Sequence, residues 1–195
     1  MALLTDYDNI FYYAQHDALK EMSSSKSWTY SEIRPDVIVG FTPGSNFMNI
    51  AQGLGIFLSL YREVHGAGAE IPFPGSKKSY RNKHTDTFQD ILGRMDIYAA
   101  VNHDKCGNGG TYNIANGDLV TWADKWQGGE HSIPAYFGLV GTAPTEPWSI
   151  EDFVKKQFDT WKKLAEKHGL KKNIAENFSW PFLYFVMEVF DFDRQ

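Results

Sequence analysis

An α/β fold is the class this sequence predicts, and three observations carry the prediction. Residues 9–22 repeat at helical spacing, with Ile10, Tyr13, Ala14, Asp17, Ala18 and Glu21 on related faces. A serine-rich break, Ser23 to Ser27, leads into Trp28 to Val39, whose β-branched and aromatic residues end at Gly40 as a strand does. The end of that strand, Val37-Ile38-Val39, is continuously apolar, the pattern of a strand buried on both faces. Helix, short turn and buried strand make half of a βαβ unit.

The later elements follow in order. Phe41 to Asn46 is a loop built on Pro43 and Gly44. Ser45 or Asn46 is placed to cap the next helix. That helix runs to about Val64, with Phe47, Ile50, Ala51, Leu54, Phe57, Leu58 and Tyr61 as its apolar stripe. A short strand is expected at Ile71 to Phe73, inside a loop from Gly66 to Gly75. A second helix is expected over Thr87 to Val101, with Asp86 near its start. Gly107 to Gly110 is a turn, Thr111 to Ala115 a short strand, and Asn116-Gly117-Asp118 leads into Leu119 to Trp126. From Trp148 the chain is mostly helical. Ser149 caps a run with Glu151 and Asp152 in its first turn, where they suit the helix dipole. Phe153, Phe158, Trp161 and Leu164 form its buried side.

Composition narrows the classes. The 195 residues suit one domain or one large fragment of a domain, and 43% hydrophobic content argues for a folded core. A net charge of -5 offers no electrostatic reason to bind nucleic acid or an anionic membrane. The single cysteine, Cys106, cannot close a disulfide within the chain, which suits a reducing compartment. Met1 to Asp6 turns acidic too soon for a signal peptide, and the apolar segment Phe47 to Tyr61 carries Asn49 and Gln52 and is short for a bilayer span. The expectation is a cytoplasmic protein without nucleic-acid or membrane partners.

Several chemical motifs are excluded by spacing. Gly66-Ala67-Gly68 lacks a third glycine and follows a helix, so it is no dinucleotide loop. Gly75-Ser76-Lys77-Lys78-Ser79 is no phosphate loop, because Glu70 stands where the first glycine belongs. His103-Asp104-Lys105-Cys106 holds metal-ligand types, but no partner pair follows at zinc spacing, so no metal is expected. Serine, histidine and aspartate are too scattered for a hydrolase triad. Lys77, Lys78, Arg81, Lys83 and His84 form a basic cluster, read first as a solvated loop.

Four blocks carry a family likeness. They are Asn9-Ile10-Phe11-Tyr12-Tyr13-Ala14-Gln15-His16-Asp17, then Ile33-Arg34-Pro35-Asp36-Val37-Ile38-Val39-Gly40-Phe41-Thr42-Pro43, then Phe73-Pro74-Gly75-Ser76 with Asp86 and Asp90-Ile91-Leu92, and Tyr112-Asn113-Ile114-Ala115-Asn116-Gly117-Asp118 with Trp122 and Trp126. Together they resemble the extended short-chain dehydrogenase/reductase superfamily, in its progesterone 5β-reductase and iridoid synthase branch with fungal relatives. The resemblance implies the C-terminal part of a Rossmann-like parallel sheet plus a mostly helical substrate domain. It divides the chain into 1–45, the Rossmann remnant, and 46–195, mainly the substrate domain. It also implies that the N-terminal cofactor half and the C-terminal end of such an enzyme lie outside this sequence, since no glycine-rich fingerprint is present.

The resemblance implies NADPH-dependent reduction of an enone or ketone of a hydrophobic metabolite. Tyr12 or Tyr13 takes the catalytic position. The superfamily lysine stands four residues after the tyrosine, but here those positions are His16 and Asp17. In the resembling branch the lysine comes from an earlier segment. Ile38, Ser45, Asn46 and Phe47 are implied cofactor contacts, and Phe41, Met48 and Asn49 implied substrate contacts. The partner expected besides the small molecule is a second copy or a complementing N-terminal half. The alternatives are a non-catalytic binding module of the same family and, ranked lower, a nucleotide-sugar epimerase.

Overall fold

The structure is a computed structural model, and it describes residues 11–43, 46, 49–146 and 148–188. The elements run α1 (Phe11–Ser23), β1 (Ser31–Pro35), β2 (Val37–Val39), α2 (Ile50–His65), β3 (Glu70–Pro72), α3 (Lys77–Arg81), β4 (Lys83–His84), β5 (Asp86–Phe88), α4 (Gln89–Val101), α5 (His103–Cys106), β6 (Gly110–Ile114), β7 (Val120–Thr121), α6 (Trp122–Gln127), α7 (Ile133–Tyr136), β8 (Val140–Thr142), α8 (Ile150–Lys156), α9 (Phe158–Lys167) and α10 (Trp180–Glu188). The fold is α/β with parallel strand pairing, as the sequence predicts. Its contacts group into two units that interleave along the chain: Met1–Asp36 with Thr87–Ala115, and Val37–Asp86 with Asn116–Gln195.

In the first unit β1 and β6 pair in parallel, from Ser31↔Gly110 to Pro35↔Ile114. Thr87 is fully buried and ties this sheet's end together. Its hydroxyl donates to the Ile114 carbonyl at 2.9 Å and accepts from the Asp36 N–H at 3.0 Å. Ser31 Oγ donates to the Cys106 carbonyl at 2.7 Å, fixing α5 beside the start of β1. The apolar core here is thin. Ala99 and Cys106 are buried, whereas α1 buries no residue and Ile97, Val101 and Phe11 are mostly exposed.

The second unit holds the main core. α2 is buried on most of its circumference, through Ile50, Gly53, Leu54, Ile56, Phe57, Leu58 and Leu60. The parallel pair β3–β8 lies beside α6, and the fully buried Trp126 donates its Nε1–H to the Ile71 carbonyl at 3.0 Å. Trp161, Trp180, Leu183 and Met187 complete the cluster from α9 and α10. Each large apolar side chain so buried contributes about 1.5–3 kcal/mol of transfer free energy.

The structure corrects several expectations. The strand expected over Trp28 to Val39 is two strands, β1 and β2, separated at Asp36. Val37-Ile38-Val39 is not buried on both faces. Val37 and Val39 pack toward the second unit's core, and Ile38, which alternates to the other face, is 47% exposed. The cap of α2 is Asn49, not Asn46, and Ser45 lies outside the described residues. The helix expected from Thr87 starts at Gln89, because residues 86–88 are extended as β5. The α2 stripe is also wider than read: Ala51 is exposed, while Gly53, Ile56 and Leu60 are buried. The core-packing reading of the tryptophans stands, with Trp122 and Trp126 both buried.

Candidate functional site

The residues singled out in the sequence fall in both units, and each group is described within its own. Tyr12 and Tyr13 lie in the first turn of α1. Tyr12 is 67% exposed and its ring lies 4.0 Å from that of Phe11, tilted by 35°. Tyr13 is the more covered of the two, at 38% exposed. One turn further along α1, the His16 imidazole is hydrogen-bonded through Nδ1 to Glu32 Oε1 of β1. Arg34 holds the other carboxylate oxygen, from Nη2 at 2.6 Å and Nε at 3.2 Å. Removal from water pushes the Glu32 carboxyl up, but the hydrogen bonds and charges of His16 and Arg34 pull it further down, and it is held below the usual glutamate value. This His–Glu–Arg chain anchors α1 to β1.

Two open cavities lie in the same unit. One, of about 390 Å³, is lined by His16, Lys20, Ser23, Tyr30, Asn108 and Gly109. The other, of about 250 Å³, lies between β1 and α4 and includes Thr29, Ile33, Asp96, Ala99 and His103. Neither is lined by Tyr12 or Tyr13.

In the second unit, β2 runs out at Val39 into the loop from Gly40. Ligands of open α/β sheets sit at the carboxyl ends of strands, where this loop begins. Phe41 is 77% exposed there, and Asn46 is exposed. Asn49 does two structural jobs: its side chain accepts from the Gln52 N–H at 3.1 Å and its Nδ2 donates to the Gly40 carbonyl at 3.2 Å. The loop is thereby tied to the first turn of α2. Ser45, Phe47 and Met48 lie outside the described residues. Ile38 and Phe41 both expose apolar surface here. Among the described residues there is no glycine-rich turn opening a helix, the usual cradle of a pyrophosphate. Among the described residues there is no group of three metal-ligating side chains, and no helix is long and apolar enough to cross a membrane.

The sequence reading missed two sets of interactions. The His16–Glu32–Arg34 chain joins a helix to a strand across a serine-rich turn, and no motif announces it. The Lys125 Nζ bonds to Asp86 and His84 across strands of two and three residues, too short for periodicity to reveal. The fixed hint was the capping box at Thr121 and Asp124, which locates the start of α6.

Comparison with known proteins supplies the rest. The model of a family described as the PRISE-like Rossmann-fold domain matches residues 4–195. A short chain dehydrogenase of Leptosphaeria maculans, sirQ, is 34% identical over 190 residues, covering 96% of this chain and 47% of its own. The (S)-8-oxocitronellyl enol synthase ISY1 of Nepeta racemosa is 28% identical, over 91% of this chain and 44% of its own. A 3-oxo-Delta(4,5)-steroid 5-beta-reductase of Arabidopsis thaliana is 27% identical, over 92% of this chain and 45% of its own. The chain thus spans about half the length of the curated relatives it matches.

Proposed function

We propose that this chain, which belongs to the PRISE-like Rossmann-fold family, carries the proton donor and part of the ligand surface of an NADPH-dependent reductase. The substrate is an enone or ketone of a hydrophobic small metabolite, of the kind made in secondary metabolism. The observation that carries the reading is the family match over residues 4–195, which includes the α1 tyrosines and the loop after β2. The relatives' names, a dehydrogenase, an enol synthase and a steroid 5-beta-reductase, support a reductase in outline.

In this reading the nicotinamide cofactor supplies a hydride when bound. The phenol of Tyr12 or Tyr13 gives its proton to the oxyanion or enolate that hydride addition creates. Ile38 meets the nicotinamide end, and Ser45, Asn46 and Phe47 approach the rest of the cofactor. Phe41, Met48 and Asn49 border the substrate. Asn49 serves chiefly by holding the loop, since both ends of its carboxamide bond to backbone. The protein is cytoplasmic and works with a second copy or with a polypeptide that supplies a pyrophosphate cradle.

The test is reduction of a panel of apolar enones by an active preparation with NADPH, compared with Tyr12→Phe, Tyr13→Phe and the double substitution. Loss of turnover in one single variant, with the fold intact, is expected and identifies the donor. Unchanged reduction in the double variant would sink the assignment. A second reading is a binding module of the same family without turnover. It predicts ligand binding by a folded chain that neither binds NADPH nor reduces any enone.

A further inference from the structure

The second unit holds a cluster of ionisable side chains that reduction leaves without a role. His84 ends β4, Asp86 opens β5 and Lys125 lies on α6. The Lys125 Nζ donates to Asp86 Oδ2 at 2.6 Å and to His84 Nε2 at 2.8 Å. The same Nζ lies 4.9 Å from the centre of the Trp122 ring, and the His84 ring lies 5.4 Å from that indole. The Lys125 and Asp86 side chains are about four-fifths covered, at 18% and 21% exposed.

An ammonium group can only donate, so His84 Nε2 is the acceptor and carries no proton here. The ring proton sits on Nδ1, which faces the Asn82 carbonyl at 3.4 Å. The cluster therefore requires a neutral imidazole. A proton on Nε2 removes the acceptor and sets two cations 2.8 Å apart, with Lys125 largely withdrawn from water. The other charged groups on the surrounding elements are Arg81 at the end of α3, Lys83 on β4, Asp118 before β7 and Asp124 on α6. Asp86 is engaged by Lys125, and Asp124 accepts from the Thr121 N–H and hydroxyl at 2.8 and 2.7 Å. The Thr121 bonds, and then the attraction of His84, hold the Asp124 carboxyl below the usual aspartate value, so Asp124 favours a protonated His84. That carboxylate is exposed and screened by water. The contact at Nε2 itself is the cation's, at 2.8 Å, and it opposes protonation.

What the cluster holds is weak by itself. β4 and β7 pair through Lys83↔Thr121 and His84↔Val120, a ladder too short to stand alone. β7 runs straight into α6, which carries Trp122 and Trp126 into the core. We propose that His84, Lys125 and Asp86 form a pH-sensitive clasp that holds β4 against β7 and α6 while His84 is neutral and releases it when His84 takes up a proton. The segment 116–121 then opens locally on acidification below the ordinary histidine value of ~6.5, since the cluster favours the neutral ring. This inference does not rest on the reductase reading.

Hydrogen exchange of the full chain between pH 7.5 and 5.5, corrected for the intrinsic pH dependence of exchange, tests it. Protection of peptides covering 116–121 is expected to fall roughly fivefold in the wild type, as a local opening does, while β3 and β8 peptides hold steady. Lys125→Met and His84→Gln are expected to abolish that pH response. A flat wild-type profile, or a Lys125→Met profile that keeps the wild-type response, overturns the proposal. Should either variant fail to fold, the imidazole nitrogen spectrum of the wild type decides. A neutral His84 with its proton on Nδ1 at pH 7.5 supports the clasp, and one with its proton on Nε2 refutes it.

Discussion

Asn49 offers the sharpest test of how the loop after β2 is held. Its backbone is extended, at φ -84° and ψ 106°, and its side chain accepts from the Gln52 N–H, a donor the helix cannot satisfy internally. Losing such a cap costs typically ~1 kcal/mol. Its Nδ2 also donates to the Gly40 carbonyl, a bond worth about 0.5–1.5 kcal/mol net. Asn49→Ala removes both, and about 2 kcal/mol of stability should go with them. Asn49→Asp keeps the acceptor and gains ~0.3–1 kcal/mol from the helix dipole, but loses the Gly40 bond and sets a carboxylate against that carbonyl. It should fall between wild type and alanine. The assay is urea unfolding followed by tryptophan fluorescence, since α2 lies at the centre of the core that the tryptophans share. An alanine variant with the wild-type midpoint would refute the capping argument. If the same variant lost ligand binding, Asn49 would be a contact residue and not a tether.

Other substitutions probe the packing and the charge chain. A Cβ on Gly141 would stand 1.9 Å from the Trp126 carbonyl oxygen, so Gly141→Ala should displace β8 and cost about 2 kcal/mol or more, whereas Gly55→Ala meets nothing within 4 Å and should gain ~0.5–1 kcal/mol. Midpoint shifts of the same sign in these two variants would contradict this packing. Trp126→Phe leaves the Ile71 carbonyl without its indole donor and should lower the unfolding free energy by about 2–3 kcal/mol. Because Glu32 is held below the usual glutamate value of 4.5, its ion-pair stabilisation is present above that pH and lost as pH falls through the lower folded value. Glu32→Gln should therefore flatten the acid limb of a stability-versus-pH curve below about pH 4.5, and an unchanged limb would show that the His16 and Arg34 contacts carry no net energy.

What could be read from the sequence tracks the length of each element. α1 and α2 are long enough for their period to show, and their ends fall within a few residues of expectation. The Ser149 cap was legible because its signal is local: a serine before an acidic first turn. The errors concentrate where tertiary contacts decide. β5 took the residues assigned to the first turn of α4 because Thr87 is spent on Ile114 and Asp36, contacts made across 27 and 51 positions. The α2 cap moved to Asn49 because its amide can reach both Gln52 and Gly40, a geometry that spacing alone does not distinguish from a cap three residues earlier. Ile38 was misplaced for a related reason. An apolar triplet states that a strand has two faces to cover, and not what covers them. The family blocks were legible at a different level, through order and identity of residues, and the match over residues 4–195 rests on that. The clasp at Lys125 was not legible in either way. Its three members stand on a two-residue strand, a three-residue strand and a six-residue helix, and only the fold brings His84 Nε2 and the Asp86 carboxylate within 3 Å of the Lys125 Nζ. A chemistry that depends on such a contact leaves no periodicity and no motif, so side-chain geometry is the level at which it first becomes visible.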